Sequence, residues 1–225
     1  MTATRILAIR HGETAWNVDT RIQGQLDIDL NDTGRWQAQR VGHALAEEPI
    51  TAIYSSDLKR AFDTACAIAQ SPARLALHGA DATLSVTAHT GLRERHFGHL
   101  QAQTWTQIET GWPEDAKRWR NRDPHWAPDG GESLVALRAR IAQCVEELAR
   151  PHVGEQIVLV AHGGVMDVLY RLATNQDTQA PRTWHLGNAA INRLLWTPQG
   201  LSLVGWGDVS HFDETATGPR DETTA

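Results

Sequence analysis

An arginine and a histidine follow the first apolar run of the chain. The run Ile6–Ile9 is short and is bounded by a turn that contains Gly12, a pattern typical of a buried strand. The end of such a strand is a rigid position, and it presents Arg10 and His11 side by side. A guanidinium is a permanently charged planar group that matches the oxygens of a phosphate, and an imidazole is partly neutral near pH 7 and can act as a nucleophile. The pair therefore indicates phosphoryl chemistry, provided that partners from elsewhere in the chain join it.

Three further segments supply such partners. His162 follows the apolar run 156–161 and precedes two glycines that open a predicted helix. Arg60 lies early in another predicted helix, and Glu94 follows the third predicted strand. Because ligands of parallel sheets gather at the carboxyl ends of the strands, we expect these side chains to converge on His11.

The elements that must position these residues alternate between strand and helix. Strands are predicted at 4–10, 51–54, 83–87, 156–161, 190–196 and 201–206. Helices are predicted at 31–47, 56–70 and 132–150, and from after Gly164 to about 173, with shorter pieces near 103–110 and 114–121. Either Ser56 or Asp57 is able to cap the second helix. The alternation predicts an α/β fold with a mostly parallel sheet covered by helices on both faces. A hairpin turn at Pro198–Gly200 predicts one antiparallel edge strand.

Residues 95–131 interrupt this alternation with many glycines and prolines. A segment of this length within a compact α/β fold predicts a lid-like insertion. We expect a single domain over 1–211 and a disordered tail over 212–225, which is acidic and rich in threonine.

Four tryptophans of the insertion recur at intervals of seven: Trp105, Trp112, Trp119 and Trp126. Two prolines between them exclude one continuous coiled-coil helix. Two interpretations stay open. The rings pack the insertion onto the body, or one or two of them line a pocket for the organic part of a substrate.

Composition excludes several classes of protein. The chain has 225 residues, of which 41 % are hydrophobic, and a net charge of −6, which argues against nucleic-acid binding. Its two cysteines show no metal-ligand spacing, so we predict no metal site and no disulfide framework. No apolar run approaches the length of a signal peptide or of a membrane helix, which favours a cytoplasmic protein without membrane contact. No pattern in the sequence assigns an oligomeric state.

Four strings of the sequence occur together and in order. They are RHGETAWN at 10–17, YSSDLKRAFDTA at 54–65, LRERHFG at 92–98 and VAHGGV at 160–165. With them the chain resembles the histidine phosphatase superfamily, in its phosphoglycerate mutase-like branch, over about residues 4–195. The resemblance implies a three-layer α/β/α sandwich and a two-step phosphoryl transfer through a phosphohistidine, with no metal and no other cofactor.

The resemblance also implies roles for individual residues. His11 would be the nucleophile, Glu94 the proton donor, and Arg10, Arg60 and His162 the clamp on the phosphoryl group. Further substrate contacts are expected from Asn17, Gln23, Gly24, Arg95, Gly163 and Gly164. For the last two, backbone N–H groups at a helix N-terminus suit an anion.

Five of these residues also have a purely structural interpretation. Asn17 could cap a helix, Arg60 could pair with Asp57 or Asp63 along its helix, and Glu94 could form a surface ion pair with a neighbouring arginine. Arg10 could be an ordinary cation at a strand end, and His162 could be a satisfied core histidine.

Three activities are compatible with the motifs. We favour a phosphatase that hydrolyses a small phosphorylated metabolite. A phosphoglycerate mutase would need extra cations in the insertion, where Arg118, Arg120 and Arg122 form only a loose cluster. A phosphoprotein phosphatase is the remaining alternative.

Overall fold

Six strands form one sheet, in a computed structural model that describes residues 3–79 and 84–212. The strands are β1 (Thr4–Arg10), β2 (Ile50–Ser55), β3 (Val86–Ala88), β4 (Gln156–Ala161), β5 (Ile191–Thr197) and β6 (Gly200–Asp208). Their order in the sheet is β3-β2-β4-β1-β5-β6. The first four are mutually parallel, and the β5–β6 hairpin forms the antiparallel edge. The predicted α/β fold is therefore confirmed.

Eight α-helices connect and cover the strands within the described part of the chain. They are α1 (Ala15–Val18), α2 (Asp32–Ala44), α3 (Lys59–Ala69), α4 (Pro72–His78), α5 (Trp105–Gly111), α6 (Pro113–Arg120), α7 (Leu134–Ala149) and α8 (Gly163–Ala173). Single 3-10 turns cover Thr90–Leu92, Gly98–Leu100 and Arg150–His152. None of the described helices is both long and apolar enough to cross a membrane.

The sheet is buried on both faces, which fixes the ends of its strands. Along β1, Ile6 and Ala8 join a core cluster with residues of α7 and α8, whereas Leu7 and Ile9 join a second cluster with residues of α2 and α3. Burial of a large aliphatic side chain contributes about 1.5–3 kcal/mol to stability. The residues that follow β1 and β4 are therefore held by a close-packed, three-layer framework.

The start of α3 differs from the prediction of a helix over 56–70. The helix begins at Lys59, and Leu58 occupies the N-cap position without a side-chain hydrogen bond. Asp57 instead forms two hydrogen bonds with the guanidinium of Arg93, at 2.7 and 2.5 Å. The carboxylate of Asp57, which the sequence predicted as a possible helix cap, thus forms a tertiary ion pair instead.

A further difference follows α3. The prediction ends the helix at residue 70, which agrees with the end of α3 at Ala69, but it contains no helix after that point, where Pro72 is the first residue of α4. Proline is favoured at this position because its fixed φ suits a helix and its missing N–H would have no partner there.

Residues 95–131 form a small core of their own. Ile22, Phe97, Leu100, Ile108, Ala116 and Trp126 are buried together, and Trp105 and Trp119 pack against them. Trp119 contacts the rings of Phe97, Trp105 and Trp126 at centroid distances of 4.7, 5.8 and 6.4 Å. Trp112 is 36 % exposed and lies beside His99. The tryptophan series therefore serves mainly to pack the insertion.

Parts of two predictions concern residues outside the described ranges. Residue 83 of the predicted third strand and residues 213–225 of the predicted tail are among them. Phe212, the first residue of that tail, is described and stacks on Trp36 of α2 at 5.5 Å. The single domain over 1–211 and the lid-like role of the insertion stay predictions.

Candidate active site

The ends of two adjacent parallel strands bring the two expected histidines together. Arg10 is the last residue of β1 and pairs in register with Ala161, the last residue of β4. His11 and His162 follow directly, and their ring centroids are 5.2 Å apart. Both side chains are buried.

Two hydrogen bonds determine which nitrogen of His11 carries a proton. Nδ1 lies 2.7 Å from the carbonyl oxygen of Gly12, which can only accept, so Nδ1 donates. Nε2 accepts from Nε of Arg60 at 3.3 Å. His11 is therefore the neutral tautomer with the lone pair on Nε2, directed at the Arg60 guanidinium.

The surroundings of His11 keep it neutral. Burial, followed by the positive charges of Arg60 and Arg10, lowers its pKa well below the ordinary value of 6.5, and the bond to Gly12 opposes this effect only in part. An imidazole in this environment retains its nucleophilic lone pair at neutral and mildly acidic pH.

Arg60 projects from the first turn of α3 into the same site. Besides His11, it donates to the carbonyl oxygens of Leu26 at 2.8 Å and of Gly24 at 2.7 Å. These contacts replace the helical pair with Asp57 or Asp63 that the sequence left open. They hold one edge of the guanidinium in place beside the nucleophile.

His162 is completely buried at the N-cap of α8. Within the described residues, neither of its ring nitrogens has a hydrogen-bond partner. Burial, then the positive charges of Arg60, Arg10 and Arg140, lowers its pKa well below 6.5. A buried polar group without a partner costs about 1–3 kcal/mol, which favours a ligand-binding role over that of a satisfied core histidine.

Glu94 lies on the opposite side of the site and is held by backbone donors. Its Oε1 accepts from the N–H of Arg95 at 2.6 Å, and its Oε2 accepts from the N–H of Gly164 at 2.9 Å. The carboxylate is buried and is not the surface ion pair that its flanking arginines suggested. The N–H of Gly164, predicted to contact substrate, thus contacts Glu94.

Arg10 and Glu94 approach each other across Gly163. A Cβ atom added to Gly163 would lie 3.6 Å from Cζ of Arg10 and 3.8 Å from Oε2 of Glu94. Arg10 is buried and donates through Nη1 to the carbonyl oxygen of Leu186. The five expected catalytic residues, His11, Arg10, Arg60, Glu94 and His162, therefore meet at one end of the sheet.

A cavity of about 50 Å³ lies against three of these residues, His11, Arg60 and Glu94. It is lined by His11, Ile22, Gln23, Gly24, Arg60, Glu94, Phe97, Trp119 and Gly164. Gln23 is 4 % exposed, and within the described part of the chain both polar atoms of its amide have no hydrogen-bond partner. Gly24 has a φ of +52°, which favours glycine, and an added Cβ would displace the amide of Gln101, whose Oε1 would lie 2.2 Å away.

Asn17 is part of a helix cap at the edge of the site. Its Oδ1 accepts from the backbone N–H and the hydroxyl of Thr14, at 2.9 and 3.0 Å, in a capping box at the start of α1. The same Oδ1 also accepts from the side-chain amide of Asn188 at 3.3 Å. That amide in turn donates to the carbonyl oxygen of His11. The N-cap itself is Thr14, and Asn17 contributes to the cap as the third residue of the helix; the phosphate contact of Asn17 stays a prediction.

Arg95 lies behind the cavity wall and is not among the lining residues. Its guanidinium lies 5.3 to 5.8 Å from the ring centroids of Phe97, Trp126 and Trp119, and it donates to the carbonyl oxygen of Glu132 at 2.8 Å. Burial lowers its pKa to about 10. Substrate binding by Arg95 stays a prediction that these contacts do not favour.

Sequence reasoning did not assign Ile22 and Phe97 to the site, and it named Trp119 only as one of four tryptophans, of which one or two could line a pocket. Gln23 and the LRERHFG string already point to the first two, since each lies next to a predicted site residue. Trp119 could not be chosen from its series, because the folding of α6 onto Phe97 decides which ring reaches the cavity. Of the described residues, no group of three or more histidine, cysteine, aspartate or glutamate side chains is arranged to hold a metal ion.

Comparison with known proteins is consistent with this geometry. The family model of the histidine phosphatase superfamily (branch 1) matches residues 6–209. The chain is 40 % identical to phosphoglycerate mutase-like protein 4 of Arabidopsis thaliana over 213 residues, which cover 93 % of this chain and 87 % of that one.

Two named phosphatases are also similar. The metal-independent phosphoserine phosphatase of Arabidopsis thaliana is 38 % identical over 93 % of this chain and 83 % of its own. The solved structure of the mycobacterial glucosyl-3-phosphoglycerate phosphatase in complex with VO3 superimposes with a TM-score of 0.73 at 35 % identity, over 92 % of this chain and 99 % of that one.

Proposed function

The chain belongs to the histidine phosphatase superfamily, branch 1, and on that premise we propose that it hydrolyses small phosphomonoesters through a phosphohistidine on His11. The named phosphatases among its relatives support phosphomonoester hydrolysis. The observation that carries the mechanism is the unprotonated Nε2 of His11, which faces Arg60 in a cavity that Glu94 also lines.

In the first step, Nε2 of His11 attacks the phosphorus. The new N–P bond forms while the ester P–O bond breaks, and the electron pair of that bond goes to the leaving oxygen. Glu94, in its protonated form, gives that oxygen its proton, so that an alcohol departs. Donation by Nδ1 to the Gly12 carbonyl stabilises the positive charge that develops on the ring.

In the second step, a water molecule attacks the phosphohistidine. Glu94, now a carboxylate, takes a proton from the water as the new O–P bond forms. The N–P bond breaks, its electron pair returns to Nε2, and phosphate is released. One carboxyl group thus serves as acid and then as base.

The charge of the transferred group would be balanced by the protein itself. Arg10 and Arg60 are permanent cations beside His11, and the ring nitrogens of His162 can donate to phosphoryl oxygens once the ring binds a proton or presents its N–H. Positioning and charge stabilisation are most of what phosphoryl transfer requires. This supports a reaction without a metal ion.

The insertion favours a phosphatase over a mutase. A mutase acting on phosphoglycerate needs cations near the reaction centre for the second anionic group. Arg120 pairs with Glu109 and lies 5.0 Å from the centroid of Trp105, and Arg122 donates to Asp167 at 2.8 Å. The described lining of the cavity contains one arginine, Arg60, and that arginine contacts the nucleophile His11.

The dimensions of the cavity favour a small substrate. Its volume of about 50 Å³ and its wall of Phe97 and Trp119 suit the ester of a small metabolite better than a side chain on a folded phosphoprotein. The cytoplasmic location stays a prediction.

Trapping of the covalent intermediate tests the proposal. The enzyme is quenched during turnover of a labelled phosphomonoester, with chelator present, and the label is followed on the protein. We expect an adduct that is stable to base and labile to acid, which disappears in His11→Ala and persists in the matched control His125→Ala, whose ring is exposed. Turnover that stops with chelator, or an adduct that survives in His11→Ala, would contradict the mechanism. Transfer of label between two phosphoglycerates at the rate of hydrolysis would favour the mutase.

A further inference from the structure

One guanidinium ties α7 to the backbone that carries Glu94. Nη1 of Arg140 donates to the carbonyl oxygens of Gly91 and Arg93, both at 2.9 Å, and Nη2 reaches the carbonyl oxygen of Glu94 at 3.4 Å. Three carbonyl groups within four consecutive residues therefore share one rigid, planar donor.

The counter-ion of Arg140 fixes the other side of Glu94. Arg140 forms two parallel hydrogen bonds with Glu132, at 2.9 and 2.7 Å. The backbone N–H of Glu132 donates to the carbonyl of His96 at 2.8 Å, and its carbonyl accepts from the side chain of Arg95 at 2.8 Å. The Arg140–Glu132 pair thus holds the chain both before and after Glu94.

The backbone around Glu94 contains no strand and only isolated turns of helix. Residues 93–97 lie between two 3-10 turns, so no regular ladder of hydrogen bonds determines where the carboxylate points. A displacement of about 1 Å at a catalytic group can cost on the order of 100-fold in rate. Tertiary contacts supply this constraint instead: Gln25 donates to the carbonyl oxygen of Glu94 at 3.0 Å, Asp57 pairs with Arg93, and the Arg140–Glu132 pair holds the backbone on both sides of Glu94.

We propose that Arg140 is a positioning residue, which holds the carboxyl group of Glu94 where it can give a proton to the leaving oxygen. The proposal rests on the proposed function and adds to it a residue that does not touch the cavity. Through Glu94 it acts on the transfer of the proton to the departing oxygen and later on the activation of water, and not on the nucleophilicity of His11; kcat/KM reports the first of these steps.

Two esters of similar size separate these steps. 4-Nitrophenyl phosphate loses a phenolate that is stable without a proton, whereas 4-nitrobenzyl phosphate loses an alkoxide that needs one. General acid catalysis contributes about 10²–10⁴-fold to such a step. We expect Arg140→Gln to lower kcat/KM for the benzyl ester by about 30-fold and that for the nitrophenyl ester by less than about 3-fold.

The comparison with Glu94→Gln shows whether Arg140 acts through Glu94. We expect Glu94→Gln to change the ratio of the two kcat/KM values further in the same direction, and the double variant to match Glu94→Gln alone. Arg193→Gln, which breaks an arginine–carboxylate pair with Asp208 on the β5–β6 hairpin, should leave the ratio unchanged.

Loss of folding is controlled by circular dichroism and by two milder variants. Arg140→Lys keeps the charge but cannot reach all three carbonyls, and Glu132→Gln removes the counter-ion; both should shift the ratio in the same direction by a smaller factor. Equal losses on both esters, or an effect that persists in the Glu94→Gln background, would overturn the role of Arg140 while leaving the phosphatase intact. A wild-type enzyme that hydrolyses neither ester would instead overturn the proposed function, and this inference with it.

Discussion

Oε2 of Glu94 accepts a hydrogen bond from the backbone N–H of Gly164, the second residue of α8, at 2.9 Å. The two residues are 70 positions apart in sequence, and the contact joins the loop after β3 to the helix after β4. Because α8 also begins beside His162, the proposed proton donor Glu94 and the proposed clamp residue His162 both contact the start of the same helix.

This contact predicts a difference between two adjacent glycines. A Cβ atom on Gly164 would lie 2.3 Å from Oε1 of Glu94, whereas one on Gly163 meets ordinary contacts of 3.6 Å or more. Gly164→Ala must therefore displace the carboxylate, and we expect kcat/KM for an alkyl phosphate to fall by about 100-fold. Gly163→Ala should cost at most a few-fold, which steady-state kinetics would measure. Equal losses in the two variants would contradict the assigned position of Glu94.

The two buried histidines predict that acid destabilises the fold. The pKa of each is lowered in the folded state, so below the unfolded value of about 6.5 the unfolded chain binds protons that the folded chain does not. The free energy of unfolding should therefore fall as pH drops below about 6.5, by up to about 1.4 kcal/mol per pH unit for each histidine. Urea denaturation between pH 7.5 and 5.5, without phosphate, measures this slope.

A pair of variants isolates the contribution of one ring. His162→Gln removes a titrating group and should flatten the slope, whereas His125→Gln, at an exposed position, should leave it unchanged. An unaltered slope in His162→Gln would mean that this ring binds its proton equally well in both states.

The convergence of the candidate catalytic residues at one edge of the sheet could be predicted in part, because the ends of strands are easily located in a sequence. Periodicity identifies β1 and β4, and parallel order places Arg10, His11 and His162 at the same edge. The places of Glu94 and Arg60 after predicted strands made them candidates for the same edge, but only the resemblance to a family assigned their individual roles.

Contacts set by tertiary packing were not predictable in this way. The sequence predicts Asp57 as a possible helix cap, whereas folding brings Arg93 next to it. It predicts Arg95 as a substrate contact, and only the fold shows that three aromatic rings surround this side chain. The sequence around Arg140 does not indicate a positioning role, because the backbone carbonyls that its guanidinium contacts lie almost fifty residues away.

Arg95 offers a test that separates stability from substrate binding. Its guanidinium is buried against the rings of Phe97, Trp119 and Trp126, and it donates to two carbonyl oxygens. We expect Arg95→Lys to lower the free energy of unfolding by about 1–3 kcal/mol and to change KM by less than about 3-fold. Chemical denaturation and steady-state kinetics measure the two quantities. A tenfold rise in KM at unchanged stability would instead support a direct contact with substrate.

Trp119 is the ring of the heptad series that faces the cavity, and it predicts a preference among leaving groups. It stacks on Phe97 with an interplanar angle of 9°, so the two rings present a flat apolar wall next to the reaction centre. A stacked aromatic contact contributes about 0.5–1.5 kcal/mol beyond its buried area, which corresponds to roughly 2- to 13-fold in kcat/KM. Trp119→Ala should therefore lower kcat/KM for naphthyl phosphate by about that factor more than for ethyl phosphate. Trp112→Ala, which removes an exposed ring of the same insertion, is the matched control and should lower both equally or not at all. If Trp119→Ala also affected both esters alike, its ring would serve the packing of the insertion and not the recognition of substrate.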